Sequence, residues 1–177
     1  MRKKGKEKRG NVMPITVCTE CGQESKISVE DYPFRESGLS NVVLRGVEVA
    51  RCGHCGNVDV TMPRLEELLT ALAMAIVKQP YPLQGEQLRY LRKYLNMSQA
   101  TFAEPLNVDK TSISKWENDE DKIGPQSDRL IRLVVLALGE GLMGNSRDVV
   151  NRFTKMGDRP VQSTFNLDSK DYHCEYV

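Results

Sequence analysis

Four of the five cysteines stand as two Cys-x-x-Cys pairs, Cys18–Cys21 and Cys52–Cys55, with thirty residues between the pairs. A two-residue spacer lets both sulfurs of a pair turn toward one point. Two such pairs supply the four thiolates that a tetrahedral Zn2+ takes. Gly22 and Gly56 follow the second cysteine of each pair, and glycine accepts the left-handed turn that frees backbone N–H groups toward the sulfurs. The spacing predicts one Zn2+ per chain at a four-cysteine site. No ligand position is left open, so the expected role is structural: joining the two knuckles stabilises a domain too small to fold on apolar burial alone. Two disulfides would need an oxidising compartment, and no apolar segment follows the basic stretch Met1–Gly10 to mark a signal peptide. A thiol-redox pair is expected at a helix start, whereas short β-like runs and glycine flank both pairs here. An iron–sulfur cluster remains as the alternative, though the paired, symmetric spacing favours zinc.

A second chemistry, recognition of a DNA groove, is carried by Leu91–Asn118. Two short helices joined by a tight turn, with polar residues on the second, make a helix-turn-helix. The second helix needs an apolar inner side, which Ile113 and Trp116 supply. Its outer side needs donors and acceptors for base edges, which Lys110, Thr111, Ser112 and Lys115 supply. Gln99, at the start of the first of the two helices, can donate to a phosphate together with that helix's terminal amides.

The elements that must position these residues follow from periodicity. Lys26–Val29 and Asn41–Arg51 read as strands, with Val43, Val47 and Val49 on one face and a bulge at Gly46. Leu65, Leu68, Leu69, Leu72, Ile76 and Val77 recur at helical spacing, and Pro63 suits the first helical position. Pro80-Tyr81-Pro82 cannot continue that helix and reads as a stiff hinge. Beyond it, helices are expected near Gly85–Tyr94, from a Ser98 cap to Glu104, over Lys110–Asn118 with Asp109 as cap, and over Pro125–Leu138. The last should turn Leu130, Leu133, Val134 and Leu138 inward. A short helix from Asn145 or Ser146 to Phe153 follows, and residues 157–177 are polar without helical periodicity. The expected fold is mainly α with a small β zinc ribbon. Its parts are a basic disordered arm (1–15), a four-cysteine zinc ribbon (16–61), a connecting helix (62–79), the hinge (80–82), a five-helix DNA-binding domain (83–142) and an extension without an assigned role (143–177).

Leu91-Arg92, Leu95, Met97-Ser98-Gln99, Phe102-Ala103, Leu106, Val108, Ile113-Ser114 and Trp116-Glu117 resemble the pattern of the XRE/Cro family of helix-turn-helix domains. That resemblance implies a five-helix domain whose third helix reads DNA, with Thr111 and Lys115 at base-reading positions and Gln99 at a phosphate. Two positions depart from the pattern: Pro105 ends the preceding helix early, and Asn107 stands where the turn usually has glycine. The order of a knuckle, Tyr32-x-Phe34-x-Glu36-Ser37-Gly38-Leu39-x-Asn41-Val42, a second knuckle, a helix and an XRE domain resembles the MqsA/YgiT-type zinc-containing antitoxins. This second resemblance implies that the zinc domain neutralises a toxin, commonly an mRNA-cleaving one. It also implies that the XRE domain dimerises on a palindromic operator and that the protein represses its own operon. Tyr32, Phe34 and Leu39 then become candidate toxin-facing anchors, with packing against the Leu65–Val77 helix as the competing expectation. A zinc/XRE regulator with no toxin is the other functional expectation.

Composition limits the remaining classes. The 177 residues carry a net charge of +1. Residues 1–10 hold six Lys/Arg and one Glu, while the remainder holds 19 Lys/Arg and 23 Asp/Glu. A basic arm is thus joined to a mildly acidic body, and it reads either as a solvated tail or as a phosphate-contacting arm. No apolar run approaches the roughly 20 residues that span a bilayer, so a cytoplasmic protein is expected. The only histidines are His54, in a knuckle turn, and His173, beside Cys174 near the terminus. No nucleophile–base set, paired acids or phosphate loop stands out, so an enzyme is not expected.

Overall fold

A computed structural model describes residues 14–139, 141–142, 144, 146–153, 156–157 and 163–176. Most of the basic arm lies outside these residues, but Ile15 already begins a strand. The β-branched runs near the cysteines build β1 (Ile15–Val17), β2 (Glu24–Pro33), β3 (Val42–Cys52) and β4 (Val58–Val60). Then come α1 (Leu65–Lys78), α2 (Gly85–Tyr94), α3 (Gln99–Ala103), α4 (Lys110–Glu117), α5 (Pro125–Leu138) and α6 (Ser146–Arg152). The described chain ends on β5 (Phe165–Asp168) and β6 (Cys174–Tyr176).

All six strands belong to one mixed sheet of order β1-β2-β3-β5-β6, with β4 also on β3. β2 and β3 form a long antiparallel pair in which Ile27 faces Ala50 and Ser25 faces Cys52. Gly46, at φ +65, is the extra residue of a bulge, and its N–H donates to Asp31 Oδ1. The bulge switches the side-chain parity, so Val42 and Leu44, rather than Val43, share the buried side with Val47 and Val49.

The extension 143–177 returns to the sheet. β5 runs parallel to β3, pairing Val42 with Phe165 and Leu44 with Leu167, and β6 turns back antiparallel. Parallel neighbours need a long crossover, and here the crossover contains the whole helical half. Phe165 and Leu167 are fully buried, each contributing about 1.5–3 kcal/mol of apolar burial.

A single apolar core runs from the sheet through α1 into α2–α5. α1 is its axis: Leu68, Leu72, Ala75 and Ile76 are buried. The helix begins at Leu65 after Arg64 at φ +55, so Pro63 lies outside it and accepts from Tyr172 Oη through its carbonyl.

Three expectations about the helical half and the joint before it differ from the structure. Leu130, Leu133 and Leu138 on α5 are exposed, at 39%, 37% and 50%. The buried side is Asp128, Ile131, Arg132, Val135 and Leu136. An apolar count misses this face because two charged residues occupy it. Arg132 also fastens the segment expected to be a hinge: its guanidinium donates to the carbonyls of Val77 and Gln79 at 2.8 Å each and of Tyr81 at 2.6 Å. Gln79 and Gln87, both buried, exchange amide hydrogen bonds at 2.7 and 3.1 Å across the same joint. Residues 83–142 hold four α-helices among the described residues rather than five, with a 3-10 turn at Glu104–Leu106.

Candidate metal centre and nucleic-acid interface

The two knuckles are built alike. In the first, Gly22 N–H donates to Cys18 C=O (3.0 Å) and Cys18 N–H to Gln23 C=O (2.8 Å). In the second, Gly56 N–H donates to Cys52 C=O (3.1 Å) and Cys52 N–H to Asn57 C=O (2.9 Å). Gly22 and Gly56 sit at φ +71 and +77, which other residues adopt at a cost. β2 and β3 carry one knuckle each, and their pairing brings the two together.

Cys18 Sγ lies 3.6 Å from Cys55 Sγ, and Cys21 Sγ 3.5 Å from Cys52 Sγ. All four sulfurs are within 4.8 Å of one another. A tetrahedron with metal–sulfur bonds of about 2.3 Å has sulfur–sulfur edges of about 3.8 Å, so the four positions fit a single ion. Cys18 and Cys52 are buried and Cys55 is exposed. The Cys55 and His54 amides, aimed at Cys52 Sγ, pull its thiol down to about 6. The Cys21 and Glu20 amides lower Cys18 in the same way. Cys55 accepts from the Asn57 amide, which lowers it, yet the Cys21 thiol and burial push it up to about 12. The thiols without a metal therefore share protons that an ion would displace. Ser25, opposite Cys52 in the ladder, is buried with a hydroxyl that has no hydrogen-bond partner among the described residues. His54 stays exposed in its turn. Cys174 is outside the four-sulfur cluster, and burial pushes its thiol up to about 12.

The expected toxin-facing trio does not share one surface. Phe34 is 4% and Leu39 2% exposed, both in the core that α1 helps to form, so neither is available to a partner. Tyr32 is half-buried, with its hydroxyl 2.5 Å from Glu36 Oε1.

In the helical half, Ser98 Oγ accepts from Thr101 N–H at 3.1 Å and starts α3. Pro105 falls in the 3-10 turn that ends α3, and Asn107 takes φ +51 at the turn into α4. Asp109 stands at the N-cap of α4, but its side chain accepts no capping bond. Ile113 and Trp116 are buried, which leaves Lys110, Thr111 and Lys115 exposed and Ser112 half-exposed. Thr111 and Lys115, four apart, share a face. Neither Lys110 nor Lys115 is in an ion pair among the described residues.

Gln99 is brought to the other end of α4. Its Nε2 donates to Glu117 Oε2 at 2.9 Å, so one of its two amide hydrogens is committed. Glu117, 3% exposed, also receives Arg92 Nε at 2.6 Å and Nη2 at 3.0 Å. Arg89 Nη2 donates to Glu117 C=O and Asn118 Oδ1, both at 2.7 Å. Burial pushes the Glu117 carboxyl up, but Arg92, Gln99 and Arg89 outweigh it and hold it below its usual range. This hub joins α2, α3 and α4 and sets the pose of α4 against the two helices before it. Sequence reasoning assigned it no role, although Arg92 and Glu117 both belong to the recognised pattern.

The helix-turn-helix family model matches residues 88–135, an XRE-type DNA-binding regulator domain. No curated protein matches the chain. Among the described residues no helix is long and apolar enough to cross a membrane.

Proposed function

We propose that the chain is a sequence-specific transcriptional repressor that binds double-stranded DNA as a homodimer and carries one structural Zn2+ on Cys18, Cys21, Cys52 and Cys55. The observation that carries this reading is α4. Within a matched helix-turn-helix, it turns Lys110, Thr111, Ser112 and Lys115 outward over a buried Ile113 and Trp116. Such a helix fits the major groove, where its side chains meet base edges. Gln99 keeps a second amide hydrogen for a phosphate while Glu117 fixes its orientation.

Leu130, Leu133 and Leu138 supply an apolar stripe along α5 that a second copy would cover, placing two reading helices on a palindromic site. The zinc ion supplies a cross-link between the β1–β2 and β3–β4 turns.

The finer role is a type II antitoxin that holds a toxin on its zinc body and represses its own operon. Its support is the order of knuckles, helix and XRE domain, together with exposed Val29 and half-exposed Tyr32 on β2. The second reading, a zinc/XRE regulator without a toxin, draws support from the burial of Phe34 and Leu39. Co-expression of the full chain with the neighbouring gene product separates the two. A co-purifying, neutralised toxin supports the antitoxin role, whereas a neighbour that is neither toxic nor bound supports the free regulator. The shared claim is tested by titrating the protein onto DNA from upstream of its own coding sequence, with scrambled DNA as reference.

A further inference from the structure

The carbonyls of the last turn of α4 are all satisfied. Ser114 C=O accepts from Asn118 N–H at 3.2 Å, Lys115 C=O from Glu120 N–H at 2.9 Å and Trp116 C=O from Asp119 N–H at 3.2 Å. Glu117 C=O accepts from Arg89 Nη2 at 2.7 Å. The bonds to Lys115 and Trp116 need a left-handed residue just past the helix end, and Asp119 stands there at φ +55. Glycine takes that conformation freely and an aspartate at some cost, so the turn by itself favours glycine.

The side chain supplies what glycine could not. Asp119 Oδ1 accepts from Gly85 N–H at 3.0 Å. Gly85 is the first residue of α2, and the first amides of a helix have no partner of their own. A carboxylate also suits the positive end of a helix. One residue thus ends α4 with its backbone and caps α2 with its side chain. The two helices touch directly at this point: a Cβ on Gly85 would stand 2.5 Å from Trp116 O and 2.9 Å from Glu117 C. Arg89, one turn along α2, holds the same turn of α4 through Glu117 C=O and Asn118 Oδ1. The chain entering α2 is itself fixed, since Leu83 N–H donates to Asp128 Oδ2 at 2.6 Å and Gln84 N–H to Gln87 Oε1 at 3.1 Å.

On the DNA-binding reading above, we propose that Asp119 is a positioning residue for base recognition: by tying the last turn of α4 to the start of α2, it fixes where Lys115 stands. Lys115 belongs to that turn, and its own carbonyl takes the Glu120 bond that closes it. A loosened turn lets the Lys115 side chain reach more than one base edge. Discrimination between sequences then falls more than affinity for DNA at large, because phosphate contacts carry no sequence information.

The test compares the full chain with Asp119→Gly and Asp119→Asn. Both variants lose the charge. Only asparagine keeps an oxygen for Gly85 N–H, and it tolerates the left-handed conformation. The readout is the affinity for upstream DNA divided by that for a scrambled duplex at the same salt. Asp119→Gly should lower this ratio at least about fivefold, the lower end of what one base-reading side chain contributes. Asp119→Asn should keep the parent's ratio. The urea midpoint of Asp119→Gly should stay near the parent's, because relief of backbone strain offsets the lost bond. Exchange of the Gly85 amide, read without DNA, should quicken in Asp119→Gly and not in Asp119→Asn. An Asp119→Gly ratio or Gly85 exchange rate equal to the parent's overturns the proposal. So does an equal fall of the ratio in both variants, which would trace the effect to charge. A urea midpoint that collapses along with the ratio leaves Asp119 a structural role only and overturns it as well. The parent is measured first, so a parent that binds both duplexes alike is told apart: it contradicts the DNA-binding reading, and the role of Asp119 falls with it.

Discussion

Arg132 Nε donates to Asp128 Oδ1 at 2.6 Å, with both side chains sealed from solvent. One turn apart on α5, the two residues hold the end of α1 and the chain that leaves it. The guanidinium satisfies carbonyls from Val77 to Tyr81, where α1 has run out of its own donors. The carboxylate takes Leu83 N–H from the other side. The joint between the half that carries the four cysteines and the helix-turn-helix half is therefore fixed by a buried ion pair.

Removing one partner is expected to cost far more than removing both. Arg132→Met leaves a buried carboxylate without its cation and several carbonyls without a donor, a loss of about 3–5 kcal/mol. Arg132→Met with Asp128→Leu should recover part of that loss. Urea unfolding of the two variants measures the difference. Equal stability of the single variant and the parent would contradict the role given to the pair.

Phe165→Ala should cost about 3–5 kcal/mol and should loosen the metal site although it lies far from the cysteines in sequence, because β5 lines β3 and β3 ends at Cys52. Amide exchange along β3 and the rate of metal release to a chelator both read this. Protection along Val42–Leu44 equal to the parent's would show that β5 adds nothing to the sheet.

The cysteine spacing and the helix-turn-helix pattern were legible because each depends on local offsets: two residues between sulfurs, and three or four between Ile113, Trp116 and their neighbours. The return of Phe165 to Val42 was not. Phe165-Asn166-Leu167 is too short an alternation to mark a strand, and its partner lies across the whole helical half. The buried side of α5 was misread for a different reason. Arg132 and Asp128 satisfy each other inside the fold, so their polarity no longer marks solvent, and three leucines are left outside. Phe34 and Leu39 look like loop anchors in the sequence, yet both are buried in the core. The Glu117 hub was spelled out in the family pattern, but its partners Arg89, Arg92 and Gln99 come from two other helices.

Acid should weaken the helical half through Glu117. Its folded carboxyl titrates below its unfolded value of about 4.3. Its stabilising contribution is thus complete above that value and is lost as pH falls through the folded one. Thermal unfolding followed from pH 7 downward should show a steeper acid decline in the parent than in Glu117→Gln. Parallel declines would assign the acid sensitivity elsewhere.

Metal analysis should find one zinc per chain, and Cys52→Ser should lose it, since a three-sulfur site cannot close the tetrahedron. Protein prepared without chelators that retains no metal, or a variant that keeps a full equivalent, would remove zinc from the account.

The reading of bases by α4 is tested most directly by one comparison: the affinity of the parent and of Lys115→Ala for the upstream DNA and for a scrambled duplex at the same salt concentration. A side chain paired with a base edge contributes about 1–3 kcal/mol of discrimination. Lys115→Ala should therefore lose roughly 5- to 150-fold on the upstream site, with a much smaller loss on the scrambled duplex. An equal loss on both, or a parent that binds the two alike, would contradict sequence-specific recognition by this helix.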